Sequence, residues 1–302
     1  MNNRLLGAVI GFILVVALVY FVFGSKNDNA SLLPSEDAKS IKALISSDKL
    51  DEAKKLIDEK KESEPENPSL GNMYFLLATS FEGKGYLVKA RDVYEKILTE
   101  YQNVDNILEI QEKIGELNIK ILFSNIMTDN DIRYEVMPGD TLSEIAKKFS
   151  TTVDMVKACN SLKDDVIRVG SNLKVPQTQY RIMVDKSQNI LTLLTDKDRF
   201  VKVYKVSTGA NNCTPVGTFK IVNKIKDPVW YTEGAIVPAE SPDNILGSRW
   251  LGLSEKGYGI HGTTEPESLG KQATQGCIRM LNAEVEELYT IVPTNVEVTI
   301  ME

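Results

Sequence analysis

The longest apolar stretch of the chain lies at its beginning, where residues 5–23 carry no charged side chain. A helix of this length spans about 28 Å, close to the ~30 Å hydrocarbon core of a bilayer. A cleaved signal peptide and a buried helix are the alternatives, but the large residues at 21–23 do not suit a signal-peptidase site. We therefore expect a transmembrane anchor. Its orientation stays open, because one basic residue lies on each side of it, Arg4 and Lys26.

After a polar stalk, residues 35–126 show the spacing of amphipathic helices. Ala53 and Ile57 recur at a helical interval behind Asp48, a predicted N-cap. The pattern returns after a proline-rich break, with Ala90 in the place of Ala53. It is similar to tetratricopeptide helix pairs, whose usual period is ~34 residues, and a plain helical hairpin is the alternative. Either would serve as a scaffold or stalk that could bind a protein partner, and no residue in it suggests catalysis.

A shorter unit follows over residues 134–176, in which strand and helix signals alternate. The pattern predicts a strand at residues 134–136 and then a helix that opens with a Thr141–Glu144 capping box. A second helix would open at Thr151, and a final strand would close the unit. The predicted order is therefore β-α-α-β, in a unit that is barely large enough for a core of its own.

The residues of this unit resemble the LysM family over the whole segment. The matching positions are Gly139-Asp140-Thr141-Leu142, Ile145-Ala146, Phe149, Asn160 and the closing Gly170-x-x-Leu173-x-Val175-Pro176. The resemblance implies binding of N-acetylglucosamine-containing glycan, chiefly peptidoglycan. The binding groove would lie beside the loop of residues 139–142 and the loop before the last strand. For Asp140 and Thr141 the alternative is that they only cap the helix.

From Arg181 onward the pattern changes to short runs of β-branched and other apolar residues separated by turns. Such runs predict a mostly-β domain. One helix is expected at residues 283–291, capped by Asn282 and carrying acidic residues in its first turns. A last strand closes the chain.

Composition and charge narrow the classes of partner. Hydrophobic residues make up 42% and charged residues 25% of the 302 positions, as in ordinary globular proteins with room for more than one domain. With 35 basic and 42 acidic side chains the net charge is -7, so we expect no nucleic-acid partner. Three cysteines are too few for a disulfide framework, and the single histidine, His261, excludes a multi-histidine metal site. We expect neither a metal nor a cofactor.

His261 and Cys277 are the residues of the C-terminal region that could carry nucleophilic chemistry. A thiol becomes a strong nucleophile when it ionises, and an adjacent imidazole can accept its proton and lower the cysteine pKa by forming an ion pair. Gly276 would let the neighbouring amides, those of Gln275, Gly276 and Cys277, point at a developing oxyanion. On spacing alone, a buried structural thiol is the alternative.

The residues around this pair resemble the L,D-transpeptidases of peptidoglycan over residues 179–302. The matching motifs are His261-Gly262, Thr274-Gln275-Gly276-Cys277-Ile278-Arg279, Ser207-Thr208-Gly209, Thr214-Pro215-Val216-Gly217-Thr218-Phe219 and Leu246-Gly247-Ser248-Arg249-Trp250-Leu251-Gly252-Leu253. The resemblance implies that Cys277 is the nucleophile and His261 the general base. The backbone carbonyl of Gly262 would hold the imidazole tautomer, as the third group of a triad does.

Further site residues follow from the same resemblance. Arg279 would hold a stem carboxylate through a bidentate contact, with a structural salt bridge as the alternative. Trp250 and Thr274 are expected to line the substrate groove, Trp250 more as a wall than as a specific contact. Of the other thiols, Cys213 is expected to be incidental and Cys159 to be a small core residue.

The expected organisation is multidomain. It comprises a cytoplasmic stub and membrane anchor (1–24), a stalk (25–34), an all-α tetratricopeptide-like region (35–126), a small βααβ LysM domain (133–177) and a mostly-β L,D-transpeptidase domain (179–302). The expected activity joins peptidoglycan tetrapeptide stems through a thioacyl-enzyme into 3→3 cross-links. L,D-carboxypeptidase activity with water as acceptor, or an inert peptidoglycan-binding anchor protein, are the alternatives. The chain would be a single-pass cell-membrane protein with its bulk on the outer side.

Overall fold

The computed structural model of the chain describes residues 36–101, 104, 107–232 and 234–302. It divides into two compact units, one that ends at Asn118 and one that runs from Ile119 to Glu302. The predicted membrane anchor at residues 5–23 lies outside the described residues. Within them, no helix combines the length and the apolar character that crossing a bilayer requires.

The N-terminal part of the described chain is helical, as the sequence pattern predicts. Its helices are α1 (Glu36–Ser46), α2 (Leu50–Ser63), α3 (Leu70–Gly83), α4 (Leu87–Glu100) and α5 (Ile107–Leu122). The pair α2–α3 and the pair α4–α5 start at the same 37-residue offset that relates Ala53 to Ala90. Both alanines are fully buried. The N-cap prediction is wrong, because Lys49 takes that position and Asp48 adopts a positive φ in the turn before it.

The predicted βααβ unit is present. Its elements are β1 (Asp131–Glu135), α6 (Leu142–Lys148), α7 (Val153–Cys159) and β2 (Asn172–Pro176). The two strands pair antiparallel. Thr141 and Glu144 form the predicted capping box, in which each side chain bonds the other's backbone. The second helix is capped one residue later than predicted, because Thr152 rather than Thr151 accepts the hydrogen bond from the backbone of Met155.

The C-terminal region is mostly β, as predicted. Its strands are β3 (Tyr180–Asp185), β4 (Ile190–Thr195), β5 (Phe200–Lys205), β6 (Thr208–Gly209), β7 (Gly217–Lys226), β8 (Trp230–Thr232), β9 (Ala235–Val237), β10 (Arg249–Leu253), β11 (Gly259–His261), β12 (Gln272–Thr274), β13 (Ile278–Arg279) and β14 (Glu297–Met301). Eight of them form one sheet in the order β13-β11-β10-β7-β14-β3-β4-β5. Two pairs in this sheet are parallel, β11 with β13 and β3 with β14.

The predicted C-terminal helix is α8 (Asn282–Ile291), whose apolar side chains join the core beneath the sheet. Its proposed cap is wrong. Asn282 is the first residue of the helix, and its side chain makes no capping bond. Instead, its amide oxygen accepts hydrogen bonds from the backbone of Ser248 and Thr263, both at 3.1 Å. Asn282 therefore ties two loops together rather than starting the helix.

The LysM unit and the C-terminal domain share a hydrophobic core. Met155 and Cys159, both on α7, are buried together with residues of the eight-stranded sheet and α8. This confirms the expected core position of Cys159. The Thr152 hydroxyl also donates a hydrogen bond to the backbone carbonyl of Thr290 on α8. These contacts fix the βααβ unit against the eight-stranded sheet and α8.

Candidate active site

His261 and Cys277 lie on neighbouring strand ends of the large sheet. His261 ends β11, and Cys277 directly precedes β13, whose parallel register pairs Ile260 with Ile278 and His261 with Arg279. Side chains alternate along a strand, so His261, Arg279 and Cys277 belong to one face and the two buried isoleucines to the other. The usual strand spacing and rise place the Cα atoms of His261 and Cys277 about 8 Å apart. Their side chains can therefore meet.

The imidazole is held by the backbone next to it. His261 Nδ1 lies 2.7 Å from the carbonyl oxygen of Gly262. A proton on Nδ1 satisfies this contact and leaves Nε2 as the basic nitrogen. Burial lowers the pKa of His261 to about 4, because it outweighs the backbone hydrogen bonds of Gly262 and Leu246 that favour the charged ring. The ring is therefore neutral near pH 7, the form that a general base requires.

The Cys277 thiol is also neutral. Its Sγ donates a hydrogen bond to the carbonyl of Gly257 at 3.6 Å. Burial raises the pKa of Cys277 above its ordinary value, although a backbone hydrogen bond at Gly259 and the charge of Arg279 act in the opposite direction. The expected thiolate–imidazolium ion pair is therefore not the resting state. The site rests as a thiol and a neutral imidazole, because burial of His261 and partial burial of Cys277 disfavour their charged forms.

Trp250 forms the surface beside the imidazole. Its ring stacks on that of His261, with centroids 5.9 Å apart and planes inclined by 19°. The indole Nε1 donates to the side-chain oxygen of Asn223 at 3.2 Å. A Cβ atom on Gly252 or Gly259 would collide with the indole. These two glycines therefore let the indole lie flat across the sheet next to the catalytic face.

The turn before Cys277 is closed by Thr274. The Thr274 hydroxyl donates to the carbonyl of Cys277 at 2.6 Å and accepts from the amide of Gly276 at 3.1 Å. The amide of Gly276 is thus already bonded, and its expected role toward an oxyanion is wrong for this conformation. Gln275 lies exposed in the turn. Among the hydrogen bonds of the described residues, none engages the amide of Cys277.

Arg279 is built into the fold rather than exposed to a substrate. Its side chain is 7% exposed and pairs with Glu265, with 2.6 Å between Nη1 and Oε2. The same Nη1 donates to the Ser268 hydroxyl at 3.1 Å. This geometry matches the structural salt bridge rather than a contact with a stem carboxylate.

Two further residues, Thr214 and Asn282, support the site, although the sequence pattern indicated Thr214 only as part of a motif and Asn282 only as a helix cap. Thr214 is buried and donates to the carbonyl of Gly276 at 2.8 Å. The Asn282 oxygen would collide with a side chain at position 262, so glycine is needed there.

The second thiol of the domain, that of Cys213, is exposed and lies against Gly209 on the loop beside Cys277. In the described part of the chain, no three His, Cys, Asp or Glu side chains gather as a metal site would need.

The predicted glycan contacts of the LysM unit divide into exposed and internal residues. Gly139 and Thr141 are exposed. Leu142 is buried in the core of the unit, so its side chain packs inward and only its backbone is left for the predicted glycan contact. Asp140 accepts hydrogen bonds from the Tyr134 hydroxyl and from the backbone of Met137, and it thereby closes the turn.

Exposed apolar side chains lie on the two loops of the predicted glycan groove, which precede α6 and β2. The sequence pattern did not single out this feature. Met137 belongs to the first loop, and Val166 and Val169 to the loop before β2; all three are more than half exposed. The amide of Gly170 donates to the carbonyl of Val136 at 2.8 Å and holds the loops side by side. The two loops thus present one partly apolar surface.

Comparison with known proteins identifies two domain families in the chain. The L,D-transpeptidase catalytic domain family (YkuD) matches residues 179–300, and the LysM domain family matches residues 134–176. The chain is 36% identical over 177 residues to the L,D-transpeptidase YkuD of Bacillus licheniformis, which is 56% of this chain and 98% of that protein. It is 34% identical over 176 residues to YkuD of Bacillus subtilis, again 56% and 98%. The cell wall-binding protein YocH of Bacillus subtilis is 45% identical over 56 residues, 18% of this chain and 20% of that protein.

The two YkuD relatives decide the family. The match includes nearly all of each relative at more than 30% identity. The match includes 56% of this chain, so a large part of the chain lies outside what these relatives share. The chain belongs to the L,D-transpeptidase (YkuD) family and carries a LysM domain.

Proposed function

We propose that the chain is a cell-wall L,D-transpeptidase that joins peptidoglycan stems through a thioacyl-enzyme at Cys277. The observation that supports this most is the pairing of β11 with β13, which puts Cys277 on the same face as an imidazole held by Gly262. Family membership supports an enzyme of peptidoglycan. The neutral state of both groups supports a mechanism in which the thiol loses its proton as it attacks.

The proposed acylation moves one proton and exchanges one bond. Cys277 Sγ attacks the carbonyl carbon that follows the L-centre of diaminopimelate in a tetrapeptide stem. Nε2 of His261 takes the thiol proton as the C–S bond forms, and gives it to the nitrogen of the departing D-alanine as the C–N bond breaks. In the structure the thiol donates to the carbonyl of Gly257, and this hydrogen bond breaks as the proton passes to His261.

Transfer then repeats these steps in reverse. An amine of a neighbouring stem attacks the thioester carbon, His261 accepts the proton of that amine, and the proton returns to the sulfur as the C–S bond breaks. The product is a 3→3 cross-link. The unengaged amide of Cys277 donates to the oxyanion in both steps, a contribution that is typically about 3–4 kcal/mol in related sites.

Product analysis tests this proposal. The purified chain from residue 25 onward is incubated with tetrapeptide muropeptides, and the products are separated and weighed by mass spectrometry. We expect free D-alanine and 3→3 dimers, complete loss of both with Cys277→Ala, and near wild-type yield with Cys213→Ala, which removes the other thiol of this domain. A Cys277→Ala protein with full activity would refute the assignment.

The same measurement separates the alternatives. Tripeptide monomers without dimers would indicate an L,D-carboxypeptidase, in which water replaces the acceptor amine. Absence of both products, together with no mass increase at Cys277 after treatment with imipenem, would indicate an inert binding protein.

The other regions are proposed to place this enzyme on its polymer. The exposed surface around Gly139, Thr141 and Val169 would bind glycan and raise the local concentration of stems. Residues 5–23 would anchor the chain in the membrane with its bulk outside. The 37-residue offset of the helix pairs supports a tetratricopeptide-like scaffold that could hold a protein partner.

A further inference from the structure

Thr214 is a polar side chain enclosed by the backbone around the nucleophile. It follows the loop that carries Cys213 and is 2% exposed. Its Oγ1 accepts a hydrogen bond from the amide of Gly209 at 2.7 Å and donates one to the carbonyl of Gly276 at 2.8 Å. Both hydrogen-bonding roles of the hydroxyl are thus used within the protein, and no substrate can reach it.

The hydrogen bond from Thr214 to the carbonyl of Gly276 also orients the amide of Cys277, because both groups belong to the same peptide unit. The carbonyl of Gly276 and the amide of Cys277 belong to one planar trans unit, so they point in opposite directions. A carbonyl that is turned inward toward Thr214 therefore turns the amide of Cys277 away from that side. This is the amide that no hydrogen bond of the described residues engages.

The backbone at Gly276 has no side chain of its own to define this plane. Its φ of +120° is a conformation that residues with a Cβ rarely adopt. A Cβ atom at position 276 would lie 2.6 Å from the ring of Tyr258, so a larger residue would collide with that ring. The hydroxyl of Thr214 is the side-chain group that bonds the Gly276 carbonyl.

We propose that Thr214 is a positioning residue that aims the amide of Cys277 at the oxyanion of the acylation step. The inference rests on the proposed function. Thr214 transfers no proton and touches no substrate, because its proton stays in the bond to Gly276. Its effect is confined to steps in which a carbonyl oxygen becomes negatively charged, since those steps alone need a fixed donor at that point.

Two reactions of the same thiol separate this role from a general effect on the site. Imipenem acylates a cysteine: the C–S bond forms, the lactam C–N bond breaks, the thiol proton passes to the ring nitrogen, and an oxyanion forms on the way. Iodoacetamide alkylates a cysteine by displacement of iodide and forms no oxyanion. The rate constants of both reactions are measured by mass spectrometry on the full chain carrying Cys213→Ala, so that Cys277 is the thiol followed in the catalytic domain.

The variants keep or remove the hydroxyl of residue 214, and valine removes it at nearly constant bulk. Thr214→Val, which has no hydroxyl, should slow acylation about a hundredfold and change alkylation less than threefold. Thr214→Ser should restore acylation to within about threefold of the unchanged chain. Thr214→Ala is a second hydroxyl-free variant in case the valine does not fold.

Each other outcome overturns the proposal. Equal losses in both reactions would mean that Thr214 supports the thiol or the fold in general. No loss in Thr214→Val, a serine variant as slow as the valine, or failure of both hydroxyl-free variants to fold would remove the oxyanion role. If imipenem fails to acylate the unchanged chain, the proposed function fails as well, whereas acylation that is unaffected by Thr214→Val refutes this inference alone.

Discussion

At the scale of residues, the site is defined by burial more than by charge pairing. His261 is buried and Cys277 is half-buried, and this loss of contact with water pushes each group toward its neutral form. For the proposed reaction the neutral imidazole is the required form, because it can accept the thiol proton during attack. Gly262 supplies the orientation that a carboxylate supplies in other triads.

The pH dependence of acylation follows from this neutral pair. Lowering the pH through the pKa of His261, about 4, protonates the ring and removes the base. We expect the rate of imipenem acylation to stay level from about pH 6 to 8 and to fall tenfold per unit below about pH 4. The measurement uses the Cys213→Ala chain. Half-loss near pH 6.5, the ordinary histidine value, would contradict the expected state.

The lowered pKa of His261 also makes the stability of the fold depend on pH. Between pH 6.5 and about pH 4, the unfolded chain binds a proton at His261 that the folded chain does not bind. The unfolded state is therefore favoured progressively as the pH falls through this window. Acid unfolding should begin there, before most carboxylates are protonated.

At the scale of elements, α7 belongs to two cores at once. Val156 packs inside the LysM unit, whereas Met155 packs into the core of the catalytic sheet. Adjacent residues on a helix point in different directions, so one short helix can serve both cores. The LysM unit is thus a structural neighbour of the catalytic domain and not only a module beside it.

Met155→Ala tests the shared core. Removing a fully buried methionine should lower the free energy of unfolding by about 2–4 kcal/mol. The measurement is denaturation followed by tryptophan fluorescence, because both tryptophans, Trp230 and Trp250, lie in the catalytic domain. The control is Met137→Ala, an exposed methionine of the same unit, which should cost less than about 0.5 kcal/mol. A fluorescence midpoint that Met155→Ala does not move would show that the cores are independent.

At the scale of the whole molecule, the LysM surface and the active site occur in one compact unit from Ile119 to Glu302. A binding surface fixed against a catalytic site raises the frequency of encounters with the same polymer, without a new catalytic contact. Such an arrangement predicts that binding to the polymer and acylation by a small molecule can be separated by mutation.

Val169→Asp places a charge on the apolar LysM surface and tests this separation. Introduced into the inactive Cys277→Ala chain, it should reduce retention on insoluble peptidoglycan at least tenfold in a pull-down assay. In the unchanged background it should leave the rate of imipenem acylation within twofold. Val222→Asp makes the same change at an exposed valine of the catalytic sheet and should keep the retention. Equal retention by the two aspartate variants would place the polymer-binding surface elsewhere.

The sequence by itself determined the features whose causes are local. The capping box of Thr141 and Glu144 spans four residues. The contact between His261 and Gly262 joins neighbouring residues, and the family resemblance implied it. Periodicity likewise predicted the helical region, the βααβ unit and the mostly-β class of the C-terminal domain. Motifs of a few residues also identified the nucleophile and the base candidates, because the chemistry of a thiol and an imidazole is independent of the rest of the fold.

The tertiary structure alone decided the features that join distant parts of the chain. Thr214 and Gly276 are 62 positions apart, so no local pattern could show that they bond. Arg279 acquires an internal partner, Glu265, only when the chain folds back. The neutral state of the catalytic pair is likewise a result of burial, and burial depends on everything packed around a group rather than on its neighbours in sequence.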